Sequence, residues 1–167
     1  EVWLLLAETS LSQKQYPAVE GTLTNLRELA PESPLLYRGD LILGRSLENR
    51  AEFDQAREAY GRVLSAKAAE RTESAAEAQF RIAETFMKQK NYAEAFKAYY
   101  KVYVGHPYPE WQAYSLFQAG MCDKAQRNWQ GAATTFEMLI KDFPNSDSAT
   151  KAQEQLAEVS KMLKPEN

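Results

Sequence analysis

The sequence offers few side chains for nucleophilic, acid–base or metal chemistry. It has a single histidine, His106, and a single cysteine, Cys122, which lie in different segments of the chain. His106 directly precedes Pro107 in a connection between two helical patterns, and Cys122 has no basic neighbour that would lower its pKa. We therefore interpret them as a loop histidine and a small packing residue rather than as a catalytic pair.

Carboxylates are abundant, but their spacing is typical of solvated helix faces. Glu70, Glu73 and Glu77 recur three and four residues apart, which places them on one side of a helix. No Gly-rich phosphate loop, His-Glu-x-x-His motif or Cys-x-x-Cys motif is present in the sequence. We therefore predict a protein that is not an enzyme and that has no cofactor and no metal site.

Composition and charge exclude two further classes of partner. The net charge is −3 with both signs interspersed, so there is no basic stripe and we predict no nucleic-acid partner. No stretch approaches the roughly 18 to 20 uncharged apolar residues of a membrane helix, so we predict no membrane span. The chain starts at Glu1 and opens directly in an apolar helical pattern, so we expect it to have been excised from a longer protein.

One set of packing positions recurs four times along the chain. Four segments align without internal gaps, over residues 3–31, 40–68, 79–107 and 116–144. The second half of each segment starts with an aromatic residue, namely Tyr16, Phe53, Tyr92 and Trp129, spaced by 37, 39 and 37 residues. A small or β-branched residue follows three positions later, and a large apolar residue follows four positions after that: Leu23, Tyr60, Tyr99 and Phe136.

Within each half the apolar residues lie three or four apart, which predicts helices. Each segment is then a helical hairpin that must bury a face against its neighbour. Small residues such as Gly44 and Gly120 should let the two axes approach closely, and Ala149, Ala152, Leu156, Val159 and Leu163 predict an amphipathic closing helix. We predict an all-α single domain over residues 1–167, with repeats at about 1–32, 34–70, 73–108 and 110–145 and a capping helix at 146–164.

This pattern resembles the tetratricopeptide repeat, a helical hairpin of 34 residues, from Trp3 to Pro144. The resemblance implies a right-handed α-solenoid of about four hairpins with a C-terminal capping helix. Three motifs are also similar to bacterial envelope proteins of this family, of the Tol-Pal-associated periplasmic and outer-membrane assembly lipoprotein types: Ala78-Gln-Phe-Arg-Ile-Ala83, Asn91-Tyr-Ala-Glu-Ala95 and Phe143-Pro-Asn-Ser146. That similarity implies the bacterial periplasm or cell envelope rather than the cytoplasm.

In tetratricopeptide arrays the first helix of each hairpin lines the concave face, so the resemblance also implies where a partner would bind. The candidate contact residues are Arg38, Leu41, Arg45, Phe80, Glu84, Met87, Tyr114, Phe117, Met121 and Lys124. Leu41, Phe80 and Phe117 could instead pack against neighbouring hairpins. This set of candidate residues differs from the carboxylate clamp of the family, which is lined by Lys, Asn and Arg. It favours an apolar or amphipathic peptide as the partner.

A second candidate surface is an aromatic patch of Tyr103, Tyr108 and Trp111, which the repeat pattern does not require. Tyr108 and Trp111 could also fold over the junction of the third and fourth repeats. The function we expect is the binding of a peptide or protein partner on the concave face. The alternatives are self-association through the apolar N-terminal helix, a structural part of a larger repeat protein, and a non-catalytic region of a multidomain enzyme.

Overall fold

A computed structural model describes residues 1–163 of the chain, and this part is helical, with no β-strand. It contains nine α-helices: α1 (Val2–Ser12), α2 (Tyr16–Leu29), α3 (Leu36–Asn49), α4 (Phe53–Ser65), α5 (Glu73–Lys88), α6 (Tyr92–Gly105), α7 (Pro109–Ala125), α8 (Trp129–Asp142) and α9 (Asp147–Met162). A short 3₁₀ helix, Lys67–Ala69, lies between α4 and α5. The predicted all-α fold class is confirmed.

The turn inside each hairpin has the same form in all four repeats. The repeated aromatics Tyr16, Phe53, Tyr92 and Trp129 are the first residues of α2, α4, α6 and α8. Two residues before each aromatic the backbone enters the left-handed region, with φ of 58° at Lys14, 61° at Ala51, 59° at Lys90 and 58° at Arg127. None of these residues is glycine, although a left-handed conformation costs an L-residue roughly 1–2 kcal/mol.

The helices pack into two compact units. The first covers Glu1–Thr85 and the second begins at Phe86, so the boundary falls within α5. The single-domain assignment stays a prediction. The predicted capping helix corresponds to α9, and residue 164, its predicted last residue, lies outside the described residues.

The core of the first unit includes two apolar clusters. In one of them, Leu4, Ala7 and Leu11 of α1 pack with residues of α2 and with Ile42 of α3. In the other, Leu41 and Leu47 of α3 pack with α4 and with Ala78 of α5; the α4 residues are Ala56, Ala59, Tyr60 and Val63. These are the positions that recur in the sequence, so the repeat pattern indicates the core directly.

One apolar cluster of the second unit joins α7, α8 and α9. Leu116 of α7 and Phe136 of α8 are fully buried within it, as is Val159 of α9. The apolar side of α9 is therefore turned inward as the spacing predicts, down to Val159. Leu163 departs from that pattern, since it is exposed just beyond the end of the helix.

In the second and fourth hairpins, close approach of the two helices depends on a glycine. A Cβ atom added at Gly44 would lie 2.3 Å from Cε1 of the Tyr60 ring. A Cβ added at Gly120 would lie 2.4 Å from Cε1 of Phe136. Real Cβ atoms do not approach so closely, so the ring occupies the space that a methyl group would need.

The Tyr60 ring is also fixed by its hydroxyl group, which donates a hydrogen bond to Oε2 of Glu48 at 2.7 Å. Both residues are buried. Glu48 lies one turn after Gly44 on α3, so the ring packs on the glycine while its polar end reaches the carboxylate. Burial, followed by the charge and hydrogen bond of Glu48, raises the pKa of Tyr60 far above its ordinary value, so it remains a donor at all physiological pH values.

Gly44→Ala should lower the free energy of unfolding by about 1–3 kcal/mol, because the added methyl group overpacks the contact with Tyr60. The matched control is Gly61→Ala in α4, where no atom lies within 4 Å of the added Cβ. That change should raise the free energy of unfolding by up to about 1 kcal/mol through helix propensity. Urea denaturation of the two variants tests this, and equal shifts of the same sign would contradict it.

Tyr60→Phe should lower the free energy of unfolding by about 1–3 kcal/mol, because Glu48 would lose its charge-assisted hydrogen bond while remaining buried. The packing of the ring should not be affected, since the equivalent residue in the fourth repeat is already Phe136. Adding Glu48→Leu to Tyr60→Phe removes the buried carboxylate that has lost this hydrogen bond and should recover part of the loss. Thermal unfolding of the single and double variants measures both effects, and no loss in Tyr60→Phe would refute the role of the bond.

Candidate functional site

In the first unit, α1, α3 and the start of α5 line a cleft of about 480 Å³. Its floor is apolar and is formed by the buried side chains of Leu4, Leu41 and Ile42, with the exposed Leu5 at its edge. Arg38 and Arg45 lie seven residues apart, so both point from the same side of α3 into this cleft. The structure thus brings together three of the candidate contact residues that the sequence indicates.

The charged side chains around the cleft differ in whether they form ion pairs. Nη1 of Arg45 lies 3.2 Å from Oε1 of Glu8, so this ion pair ties α3 to α1. Glu77 of α5 is held by Arg81, with Nε and Oε1 3.3 Å apart. Arg38, by contrast, is exposed and forms no ion pair within residues 1–163. Its guanidinium group is therefore available to a ligand.

A second cavity of about 340 Å³ shares Glu8 and Arg45 with the cleft and extends to Glu48 and Arg81. Burial acts to lower the pKa of Arg81, but the carboxylates of Glu84, Glu48 and Glu77 outweigh it and raise the pKa overall. Arg81 therefore remains positively charged, with these three carboxylates around it.

Leu41 and the two remaining candidates of the first unit, Glu84 and Phe80, have structural partners. Glu84 accepts a hydrogen bond from Nη1 of Arg81 at 3.2 Å. Leu41 is 7% exposed and Phe80 is 3% exposed, so both are mainly packing residues. Leu41 still contributes to the floor of the cleft, whereas Phe80 does not line it.

In the second unit, the candidates on α7 differ in how much surface they offer. Tyr114 is 40% exposed, while Phe117 and Met121 are half-buried against the core of α7, α8 and α9. The Sδ atom of Met87 lies 3.7 Å from the Sγ atom of Cys122. Tyr114 is thus the candidate with the largest accessible area in this unit.

Lys124, the remaining candidate, is engaged by α9. Its Nζ donates hydrogen bonds of 2.5 Å to Oε1 of Gln155 and Oε2 of Glu158. The hydrogen bond and charge of Lys124 lower the pKa of Glu158, which keeps the pair ionised at neutral pH. A ligand would have to displace these contacts to reach Lys124.

The aromatic patch is only partly a surface. Tyr103 is half-buried, and its hydroxyl group donates a hydrogen bond to Oδ2 of Asp142 at 2.7 Å, which raises the pKa of Tyr103. Its ring contacts Tyr100 and Phe143, with centroid distances of 5.6 and 6.3 Å. Tyr108 precedes α7 and Trp111 lies in its first turn, both half-buried. Tyr100 and Phe143 were not among the three residues of the predicted patch.

The groups with catalytic potential are not activated. Burial, followed by the charge of Asp123, raises the pKa of Cys122 to about 12, so its thiol is protonated at neutral pH. Burial lowers the pKa of His106, which is therefore neutral. Among residues 1–163, no three His, Cys, Asp or Glu side chains form a group that could hold a metal ion. Over the same residues, every helix is too short or too polar to cross a membrane.

Comparison with known structures shows the same fold. A tetratricopeptide repeat protein from Parabacteroides merdae has a TM-score of 0.74 and 16% identity over 96% of this chain, which spans 59% of that protein. A putative kinesin light chain with nearly identical TPR-like repeats from Podosopora anserina has a TM-score of 0.71 and 18% identity, with 96% and 84% of the two chains covered. MamA from Desulfovibrio magneticus has a TM-score of 0.61 and 16% identity, with 96% of this chain and 92% of that chain covered.

These likenesses confirm an all-α helical-repeat solenoid fold. No curated protein sequence matches the chain. Two tetratricopeptide repeat family models do match it, one over residues 42–110 and one over residues 114–146. Since the matched residues run from α3 to the end of α8 and the same fold recurs in the solved structures, the chain belongs to the tetratricopeptide repeat family.

Proposed function

We propose that this protein is a non-catalytic scaffold that binds a peptide or protein partner on the face formed by the first helices of its hairpins. Tetratricopeptide repeats typically serve as protein-interaction scaffolds without catalytic activity, which supports the general class. The observation that carries the proposal is the cleft of the first unit, where an apolar floor lies beside the unpaired Arg38.

The chemistry of this cleft favours an amphipathic segment. An apolar side chain that covers Leu4, Leu41 and Ile42 would contribute about 1.5–3 kcal/mol if it became fully buried. The guanidinium group of Arg38 can donate to a carboxylate or carbonyl group of the same segment, which would fix its orientation. In the second unit, Tyr114 would supply further contact area, since Tyr pairs a large apolar ring with a polar end.

The location and wider context are proposed from the sequence alone. The resemblance to bacterial envelope proteins of this family supports the periplasm or cell envelope. A scaffold of this kind is also compatible with a structural part of a larger repeat protein, or with a non-catalytic region of a multidomain enzyme.

Self-association is a second candidate function, because α1 exposes apolar side chains. Val2 is 79% exposed and Leu6 is 47% exposed, and Leu5 is exposed between them at the edge of the cleft. Contiguous apolar side chains of this kind are typical of interaction surfaces. A second copy of the chain could cover Val2 and Leu6 without entering the cleft, since neither of them lines it.

Arg38→Glu should reduce partner binding roughly tenfold, because it reverses the unpaired charge of the cleft. A photo-cross-linking amino acid at Leu5, introduced in the native cell, would report a partner bound in the cleft by its covalent yield. Lys67→Glu is the matched control, since it makes the same charge change at an exposed residue outside the cleft. Equal cross-linking in the two variants, at unchanged thermal stability, would contradict the proposal.

If α1 mediates self-association, the mass measured by light scattering should rise with protein concentration. Val2→Lys with Leu6→Lys should abolish that rise, because charged groups cannot be buried unpaired in an apolar interface. Leu29→Lys, at an exposed apolar residue of α2, should leave it unchanged. A constant monomer mass for the unaltered protein would exclude this function.

A further inference from the structure

Four aromatic rings form a continuous row in the second unit. Phe96, Tyr100 and Tyr103 lie on α6 and Phe143 directly follows α8; we call them the aromatic row. Phe96 and Tyr100 stack with a centroid distance of 6.0 Å and an interplanar angle of 9°. Tyr103 links this stack to Phe143, which it meets edge-on. Tyr100 is 36% exposed and the neighbouring Val104 is 63% exposed, so the row borders solvent.

Hairpin packing does not require an apolar surface here, as the other repeats show. Tyr100 lies eight residues after the repeated aromatic of α6, and the equivalent residues in the other repeats are Thr24, Gly61 and Glu137. The residues equivalent to Val104 are Glu28, Ser65 and Lys141. Three repeats thus form the same hairpin with polar or small residues at both positions. The exposed apolar residues of α6 are specific to the third repeat and call for another explanation.

A cavity of about 720 Å³ adjoins the aromatic row, between the start of α7, the end of α8 and the start of α9. Phe143 belongs to the row and also lines this cavity. Asp142 lines the cavity and accepts the hydrogen bond from Tyr103, which connects the two features a second time.

The charged side chains that line this cavity are all acidic. Its lining includes the carboxylates of Glu110, Asp142 and Asp147 but no lysine or arginine. Glu110 and Asp147 form no ion pair with any residue in the described range, 1–163. The cavity therefore presents three carboxylates next to an aromatic ring, without a basic side chain in its lining.

We propose that the aromatic row and the adjoining cavity bind a segment of another protein in which an arginine or lysine is flanked by apolar side chains. The cation would enter the cavity, where it meets the three carboxylates and the ring of Phe143, a combination that favours guanidinium groups. The apolar flank would cover Tyr100 and Val104, since exposed Tyr residues are favoured anchors of interfaces. This surface is formed by α6, the end of α8 and the starts of α7 and α9, and it does not depend on the cleft of the first unit.

The test uses the whole, isotopically labelled protein and synthetic peptides with the same Leu and Phe flanks around a central Arg, Gln or Glu. In an NMR titration, the Arg peptide should shift the backbone resonances of Tyr100, Asp142 and Phe143. Replacing Arg by Gln should weaken binding roughly tenfold, because the charge complementarity is lost.

Two variants separate the contributions of the row and the cavity. Tyr100→Thr, which installs the side chain of the first repeat, and Asp147→Asn should each weaken binding of the Arg peptide roughly fivefold or more. The matched controls are Leu64→Thr, a partly exposed apolar residue of α4, and Glu137→Gln, an exposed carboxylate of α8. Both controls should bind the Arg peptide as the unaltered protein does, and thermal unfolding of all four variants verifies the fold.

Three outcomes would overturn the proposal. One is equal binding of the Arg, Gln and Glu peptides, and another is no shift at the aromatic row with the Arg peptide in millimolar excess. The third is a dimer in sedimentation that Tyr100→Thr converts to a monomer, since a second copy would then cover the row.

Discussion

The contact between a large ring and a glycine sets the geometry of the hairpins that contain it. Tyr60 packs on Gly44 and Phe136 packs on Gly120 so closely that neither glycine has room for a Cβ atom. This contact fixes which side of the first helix faces its partner. The next residue along the helix is turned by about 100°, so Arg45, which follows Gly44, points into the cleft. The orientation of Arg45 toward the cleft is therefore a consequence of the packing contact.

Much of the fold could be predicted because the packing contacts repeat. The aromatic spacing located the starts of four helices to the residue, and the apolar spacing identified the closing helix as far as Val159. The depth of burial could not be predicted in the same way. Arg38 and Leu41 share one side of α3, yet one is exposed and the other buried, because burial depends on how α1 and α5 pack against that side. Helical spacing therefore predicts on which side of a helix a residue lies, and not how deeply that residue is buried.

The candidate site was predicted less completely, because ion pairs join residues that are distant in sequence. Arg38, Arg45 and Lys124 were equivalent as candidate cations. The structure distinguishes them, since Arg45 pairs with Glu8, Lys124 pairs with Glu158, and Arg38 pairs with no residue in the described part of the chain. For the aromatic row the sequence did carry a signal. It lies in the comparison of Tyr100 with its counterparts in the other repeats, rather than in aromatic density.

The left-handed residues of the four hairpin turns have a practical consequence. Ala51, Lys90 and Arg127 adopt the same backbone conformation with different side chains, all exposed, so the turn specifies a backbone angle and leaves the side chain free. Their side chains take no part in the apolar clusters that hold the hairpins together. These tips are accordingly suitable places to attach a fluorophore or a surface tether, through which the proposed binding at the first helices can be tested without altering the helices themselves.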